Sequence, residues 1–396
     1  MKTSDLYQKK NECCGCELCS ITCPKHIIEM HEDEEGFLYP RISKEEECIN
    51  CKRCLNVCPN KTPGRSSKNV ISSSGGYVND ITSIKDSSSG GFATAISKSF
   101  INDGGIVYGV RYSKDYREIE FARADTKEEL LHFRTSKYVQ AHKNGVYKDL
   151  LNDIKAGKRV LFIGLPCEVS ALYHYVKGTD NLFTISLICH GPTSQKVHRQ
   201  FCDDIARMKV GDTIEFFSMR YKKLGWKPYY LYAKFKNGAE YFREFNKTDY
   251  DIAFKYLKRP SCSVCQYKLN NESFGVVSDL VLGDYHAVDK KSPLYNKWGV
   301  SQASCMSEKG LELLNSIADI AVLSPISYDE ISTTNMAFRL PIPLKKYHDD
   351  FAKTFSMYGL SSAAHLSTIQ YEIKKAKMLR FIKSFLVRIR RIILNH

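Results

Sequence analysis

The chain has 396 residues, 43% of them apolar, which is enough for two or three domains with a packed core and excludes a disordered protein. Its formal charge of +14 is weighted towards eight basic residues from Lys374 to Arg391, a stretch without acidic residues; no helix-turn-helix, RNA-binding or zinc-finger spacing accompanies it, so nucleic acid is not an expected partner. Fifteen cysteines, with no apolar leader in MKTSDLYQKKNE, argue for metal ligands in a reducing cytoplasm and against a secreted disulfide scaffold.

The first feature along the chain is a repeat. CCGCELCSITCP (13–24) is echoed by CINCKRCLNVCP (48–59), so that Cys13, Cys16, Cys19, Cys23 and Pro24 recur as Cys48, Cys51, Cys54, Cys58 and Pro59. C-x2-C-x2-C-x3-C-P is the bacterial ferredoxin run, in which three closely spaced thiolates hold one 4Fe–4S cluster and the fourth serves the other. The expected ligand sets are Cys13, Cys16, Cys19 and Cys58 for one cluster and Cys48, Cys51, Cys54 and Cys23 for the other. Cys14 is surplus. Two C-x2-C pairs would also suit zinc, but four cysteines per run, each closed by proline, favour iron–sulfur clusters.

NKTPGRSSKNVISSSGG follows with the composition of a linker and sets a boundary near residue 65. Beyond it strand-like runs (GGIVYGV, RVLFIG, NLFTISLIC) alternate with helical patterns (VYKDLLNDIKAG, EVSALYHYVK, QKVHRQFCDDIARM), which predicts an α/β domain. YYLYAKFKNGAEYFREF predicts an antiparallel hairpin turning at Asn237 and Gly238. Past Pro343 the chain reads as helical, and no apolar run is long enough to span a membrane. The expected organisation is multidomain, of mixed α+β and α/β class: a two-cluster ferredoxin-like domain over 1–65, a mixed α/β domain over 66–335, and a helical C-terminal region over 336–396.

Six further cysteines lie outside the repeat. Cys167 (GLPCEV) and Cys189 (ICHG) follow apolar strands, at the sheet edge where open α/β proteins bind ligands. Cys262 and Cys265 form a C-x2-C pair in RPSCSVC. These four form a possible four-thiolate site; two inert core cysteines plus a zinc or redox pair is the alternative. Cys202 and Cys305 read as ordinary thiols. SSSGG places Gly90 and Gly91 before a helix near Phe92, where backbone N–H groups can seat a pyrophosphate, although such runs are more often plain loops.

From 66 to 335 the chain resembles the beta subunit of coenzyme F-420 hydrogenases and dehydrogenases. The resemblance rests on SSSGGFATA (87–95), GGIVYGV (104–110), RTSKYVQ (134–140), VLFIGLPCEV (160–169), ICHGPTS (188–194), GWK (225–227), RPSCSVC (259–265) and SDLVLGDYHAV (278–288), found in that order. It implies FAD beside a third 4Fe–4S cluster, with Cys167, Cys189, Cys262 and Cys265 as ligands and Ser89, Gly90, Gly91, Lys137 and Tyr138 near the flavin. Two positions depart from the family pattern. His286 stands where tryptophan is common and Glu168 where glutamine is common, so an altered substrate face is expected. His190, Asp284 and His286 are the candidates for proton transfer, with structural histidines as the plain alternative.

The expected function is an iron–sulfur flavoprotein oxidoreductase that relays electrons between ferredoxin-type clusters and FAD, to reduce or oxidise a deazaflavin coenzyme or another organic substrate. The alternatives are an electron-transfer subunit serving a redox partner protein, and a partner protein in surface-polysaccharide assembly. The first 60 residues carry 11 Asp and Glu against 8 Lys and Arg, which favours docking to a basic partner. In the tail, Met378, Ile382, Phe385, Ile389 and Ile392 share one helical face, with Phe381 and Ile393 beside them, while Lys377, Arg380, Lys383 and Arg391 lie largely elsewhere. That pattern suits a helix lying peripherally on an anionic membrane, or else one packed on the protein's own core or on a partner protein.

Overall fold

The computed structural model describes residues 1–62, 69–208, 213–271 and 273–394, so the boundary expected near residue 65 lies outside the described residues. Its thirteen strands run in chain order: β1 (Ile28–Glu32), β2 (Leu38–Ile42), β3 (Ser72–Val78), β4 (Ile106–Tyr112), β5 (Ile119–Ala124), β6 (Val160–Gly164), β7 (Leu182–Leu187), β8 (Ile214–Tyr221), β9 (Tyr230–Phe235), β10 (Glu240–Glu244), β11 (Leu280–Asp284), β12 (Ser301–Cys305) and β13 (Ala321–Pro325). Eight of them form one mixed sheet in the order β13-β3-β12-β11-β7-β6-β4-β5. Its centre, β11-β7-β6-β4, is parallel, and antiparallel strands flank it on both sides. The alternation of strands and helices read from the sequence corresponds to this parallel centre. The antiparallel flank of β12, β3 and β13 was not foreseen.

Side chains alternate across the sheet with the period of a strand. Ile106, Tyr108, Val160 and Phe162 enter one core, whereas Val107 and Leu161 enter the other. The second core is covered by the helices Phe92–Asn102 and Glu308–Asn315 through Phe92, Ile96, Phe100, Leu313 and Leu314. The first is covered by Val146–Lys155, Pro166–Tyr175 and Gln195–Met208, and by a small antiparallel sheet, β10-β9-β8. β9 and β10 are the hairpin expected around Asn237 and Gly238, with Gly238 at φ 84°.

The N-terminal domain shares the first core. Leu18, Phe37, Tyr39 and Val57 belong to it, so this domain is packed against the sheet and not merely tethered. The turn between β1 and β2 docks on the start of helix Gln195–Met208, where Ser194 Oγ donates to the Glu35 carbonyl and Lys196 Nζ to the Glu34 carbonyl. Arg199 donates to both carboxylate oxygens of Glu32 at 2.6 Å, and Lys10 pairs with Asp33. Part of the acidic surplus expected to attract a basic partner is therefore used within the chain. At the other end, helix His348–Ala364 puts Phe351, Phe355 and Leu360 into the first core, and helix Ser367–Leu394 follows it. No helix of the described residues is long and apolar enough to cross a membrane.

Candidate redox centre

The two cysteine runs fold alike. Gly15 and Asn50, related by the repeat, both take positive φ (68° and 53°), as do Glu17 and Lys52 (66° and 58°). Each run then enters a short helix, Leu18–Thr22 or Arg53–Asn56. Cys13, Cys16, Cys19 and Cys58 line one cavity with Tyr7, Met30 and Pro40, and Cys14 and Cys54 line it as well. Cys48, Cys51, Cys54 and Cys23 line another with Ile27, Ile28 and Ile42. The fold thus brings the last cysteine of each run to the other run's three.

A third group of cysteines converges at the C-terminal edge of the parallel strands. Cys167 lies in the first turn of helix Pro166–Tyr175, just past β6, Cys189 follows β7, and Cys262 and Cys265 come from the tight turn beginning at Pro260. All four line one cavity of about 500 Å³, together with His190, Gln140, Arg259 and Lys268. Burial is the leading cause that pushes the Cys262 and Cys189 thiols up, Cys189 to about 12; the neighbouring thiols add repulsion, and Lys268 offsets part of it at Cys189. The Gly191 N–H points at Cys189 Sγ at 3.3 Å, and the Lys268 ammonium donates to the Cys189 carbonyl. Gly191 has φ 87°, and a Cβ there would come within 3.1 Å of Cys262 Cβ. Among the described residues no three His, Cys, Asp or Glu side chains converge on a single metal-ion position. Soft thiols around a roomy cavity, with a backbone N–H facing one sulfur, fit a 4Fe–4S cluster better than one zinc ion.

The surplus Cys14 lies between two of these groups. It lines both the Cys13 cavity and the Cys167 cavity. Cys202 and Cys305 are buried in the two cores, away from all three groups.

Around the serine–glycine loop the picture is mixed. Gly91 caps helix Phe92–Asn102 at φ 93°, as the sequence suggested, but the Gly90 N–H already donates to Ser301 Oγ at 2.9 Å. A Cβ on Gly90 would lie 2.4 Å from the Gly76 carbonyl oxygen, so this glycine serves strand-to-loop packing and its N–H is not free for a pyrophosphate. Ser89 Oγ donates to the Val300 carbonyl. Lys137 donates to the Arg134 and Thr135 carbonyls, and burial lowers it to about 7. Tyr138 packs on Phe245 and Phe254. Three buried N–H donors bordering this region, Arg134 Nε, Arg220 Nε and Trp226 Nε1, have no protein partner. Unpartnered buried donors beside lysines suit an anionic, acceptor-rich ligand, which is the chemistry of FAD.

The three proton-transfer candidates separate. Burial would raise Asp284, yet the Arg220 guanidinium at 2.8 Å outweighs it and holds the carboxyl below its usual range, so Asp284 is an ion-pair partner and not a proton donor. His190 faces the thiol-lined cavity. Loss of solvent around its ring, and then the Lys258 and Lys268 ammoniums, hold it below its ordinary value, which leaves it neutral. His286 stacks on Trp226 at 5.7 Å with Lys227 Nζ 3.3 Å from its Nδ1, and its side chain is 38% exposed. Burial, partly offset by Asp284, holds His286 below its ordinary value as well, and both histidines are exposed at the surface.

Residues 12–62 match a family described as 4Fe-4S dicluster domain. Residues 157–330 match the family of the C terminus of the coenzyme F420 hydrogenase/dehydrogenase beta subunit. The two matches follow one another along the chain without overlap. No curated protein matches it. Among solved structures, a chain from the xenon-derivatised F420-reducing NiFe hydrogenase complex of Methanosarcina barkeri is 17% identical, with a TM-score of 0.45, over 79% of this chain and 94% of that one.

Two residues of the region matched by the second family take roles that composition did not reveal. Glu168 is buried and pairs with Lys143 at 2.7 Å, while its other oxygen accepts the Leu165 N–H at the start of its own helix. It therefore belongs to the protein interior, and the expectation that it alters the substrate face is corrected. Burial alone would lower Lys143, but Glu168 and then Glu17 facing it keep its pKa raised. Arg259, immediately before PSCSVC, reaches back into the N-terminal domain across 246 residues to the Cys13 carbonyl. Neither long-range pairing has a local sequence signal.

Proposed function

We propose that this iron–sulfur protein of the hydrogenase/dehydrogenase beta-subunit type is an oxidoreductase that relays electrons from its two ferredoxin-type sites to a third thiolate site and FAD. Three cavities, each lined by one of the expected sets of four cysteines, with Cys14 and Cys54 shared between neighbours, carry this reading. When bound, the clusters supply one-electron chemistry and the flavin couples it to two-electron chemistry. The protein's part is to bury the sulfurs, to aim the Gly191 N–H at Cys189 Sγ, to hold the Cys189 loop through Lys268 on its carbonyl, and to present unpartnered donors and His286 on the flavin side. A deazaflavin coenzyme or another organic molecule is the substrate class. An electron-transfer subunit without its own substrate is the second reading, favoured by Asp284 being locked to Arg220 and His190 being held neutral.

Peripheral attachment to an anionic membrane belongs to the same proposal. In helix Ser367–Leu394, Ile369 is buried, but Met378, Leu379, Ile382, Phe385, Leu386 and Ile389 are exposed, so the chain's own core does not cover that face. Each basic residue near an anionic surface contributes about 1 kcal/mol, and the apolar face adds its burial. Salt-sensitive sedimentation with phosphatidylglycerol vesicles, lost in Ile382→Glu/Phe385→Glu, supports the attachment; equal sedimentation of both proteins refutes it.

The deciding experiment for the redox reading is anaerobic purification with iron, sulfide and flavin quantitation. The expected result is three 4Fe–4S clusters, by the usual four irons each, and one FAD per chain. Iron for two clusters without flavin would reduce the protein to a two-cluster ferredoxin on an unassigned scaffold, and zinc in place of iron would end the reading.

A further inference from the structure

Arg259 is 1% exposed, and no carboxylate forms an ion pair with it among the described residues. Its guanidinium donates to the Cys13 carbonyl at 2.7 Å, the Leu38 carbonyl at 2.8 Å, Gln140 Oε1 at 3.0 Å and Cys13 Sγ at 3.5 Å, and lies 4.2 Å from the centre of the Tyr39 ring. The backbone is shaped around it. Gly15 has φ 68°, and a Cβ there would lie 2.7 Å from Arg259 Nη1 and 2.8 Å from Gln140 Nε2. A buried cation without a counter-charge is strongly unfavourable, and the acidic groups that face this one are thiols: Cys13, Cys14 and Cys262, with the Tyr39 phenol. The site related by the repeat is built differently. There Cys51 is exposed, and the lysines that line the cavity, Lys25 and Lys52, are solvent-exposed and screened.

We infer that Arg259 is the built-in counter-charge of the Cys13, Cys16, Cys19 and Cys58 site, and that it raises the reduction potential of a cluster held there relative to the site of Cys48, Cys51, Cys54 and Cys23. This rests on the relay proposed above. Each reduction adds one electron to the cluster and so one negative charge beside a fixed cation in a low-dielectric setting, which stabilises the reduced form more than the oxidised one. No proton moves and no bond is made. Because Cys14 adjoins both this cavity and the Cys167 cavity, the raised potential falls on the site that borders the third group of thiols: one electron leaves one site as the other is reduced by one. Arg259 is thus a positioning residue that acts through charge.

The test is a potentiometric titration of the full chain under anaerobic conditions, read by low-temperature electron paramagnetic resonance, with the site's signal assigned by its loss in Cys58→Ala. Arg259→Gln should lower that site's reduction equilibrium constant tenfold or more, equivalent to ~59 mV for a one-electron couple. The other ferredoxin-type site should stay within threefold. Arg259→Lys, which keeps the charge, should retain most of the potential. An unchanged midpoint in Arg259→Gln at full iron content overturns the inference, and so does loss of this site's iron in both variants, which would mark a purely structural arginine. Iron missing from this site in the unsubstituted protein would instead overturn the relay itself, and the iron count reveals that before any substitution is made.

Discussion

Removing the Lys143 ammonium should be among the most destabilising single changes in this protein. The side chains of Lys143 and Glu168 are 0% and 4% exposed, and Nζ lies 2.7 Å from Oε1 while also donating to the Ala141 carbonyl. The Lys143 backbone N–H donates to Glu17 Oε1, so one residue joins the Cys167 helix to the Cys13–Cys19 loop. In Lys143→Met the Glu168 carboxylate would stay buried with only the Leu165 N–H facing it. Breaking a buried pair by deleting one partner costs about 3–5 kcal/mol, or roughly two to nearly four powers of ten in the unfolding equilibrium at 1.4 kcal/mol per decade. Glu168→Gln added to Lys143→Met removes the stranded charge and keeps an acceptor for the Leu165 N–H, so the double variant should recover most of the loss. Urea unfolding followed by far-ultraviolet circular dichroism, on preparations matched for iron, reads the difference. A single variant within about 1 kcal/mol of the parent, with the double variant no better than the single, would refute a stabilising internal ion pair here.

Crossed ligation predicts that Cys58→Ala damages the site of Cys13, Cys16 and Cys19 and leaves that of Cys48, Cys51 and Cys54 closer to intact, while Cys14→Ala spares both; electron paramagnetic resonance distinguishes the signals, and loss of one in Cys14→Ala would overturn the assignment. Gly191→Ala forces a side chain into a backbone at φ 87° against Cys262 and should cost about 1–3 kcal/mol, with iron released to a chelator faster than from the parent. Burial holds His198 at about 4, below the ordinary 6.5, so between those values the unfolded chain takes up a proton that the native one refuses. The stability this contributes is complete above pH 6.5 and lost as pH falls towards 4, by at most about 1.4 kcal/mol per pH unit. His198→Phe should show a shallower fall across that window in denaturant midpoints; an unchanged slope would count against it.

Much of the redox centre was legible because ferredoxin ligation is local. Three of each cluster's expected ligands fall within seven residues, so their spacing alone predicts the chemistry, and the 35-residue offset of the repeat carries over to matching positive-φ positions. The central strands were legible for a similar reason: β6 is apolar throughout and β7 largely so, because both faces of the sheet are covered. The antiparallel flank was not. β3 reads SSSGGYV, polar and glycine-rich, and becomes a strand only because β12 and β13 pair with it from positions more than 200 residues away.

The amino-acid sequence by itself determined that the chain holds two repeated thiolate runs, an α/β domain with four further cysteines at its strand ends and turns, and a basic amphipathic tail. Tertiary structure alone decided that the two runs are unequal. One is buried against the α/β domain and receives Arg259, while the other stays at the surface; Cys14, surplus by spacing, sits between two cavities; Glu168 is neutralised by Lys143; and Asp284 is locked to Arg220. Spacing records which groups a short loop can bring together, but the potential and protonation of those groups depend on charges that arrive from elsewhere in the chain. At a few ångströms in a low-dielectric interior such charges outweigh anything local.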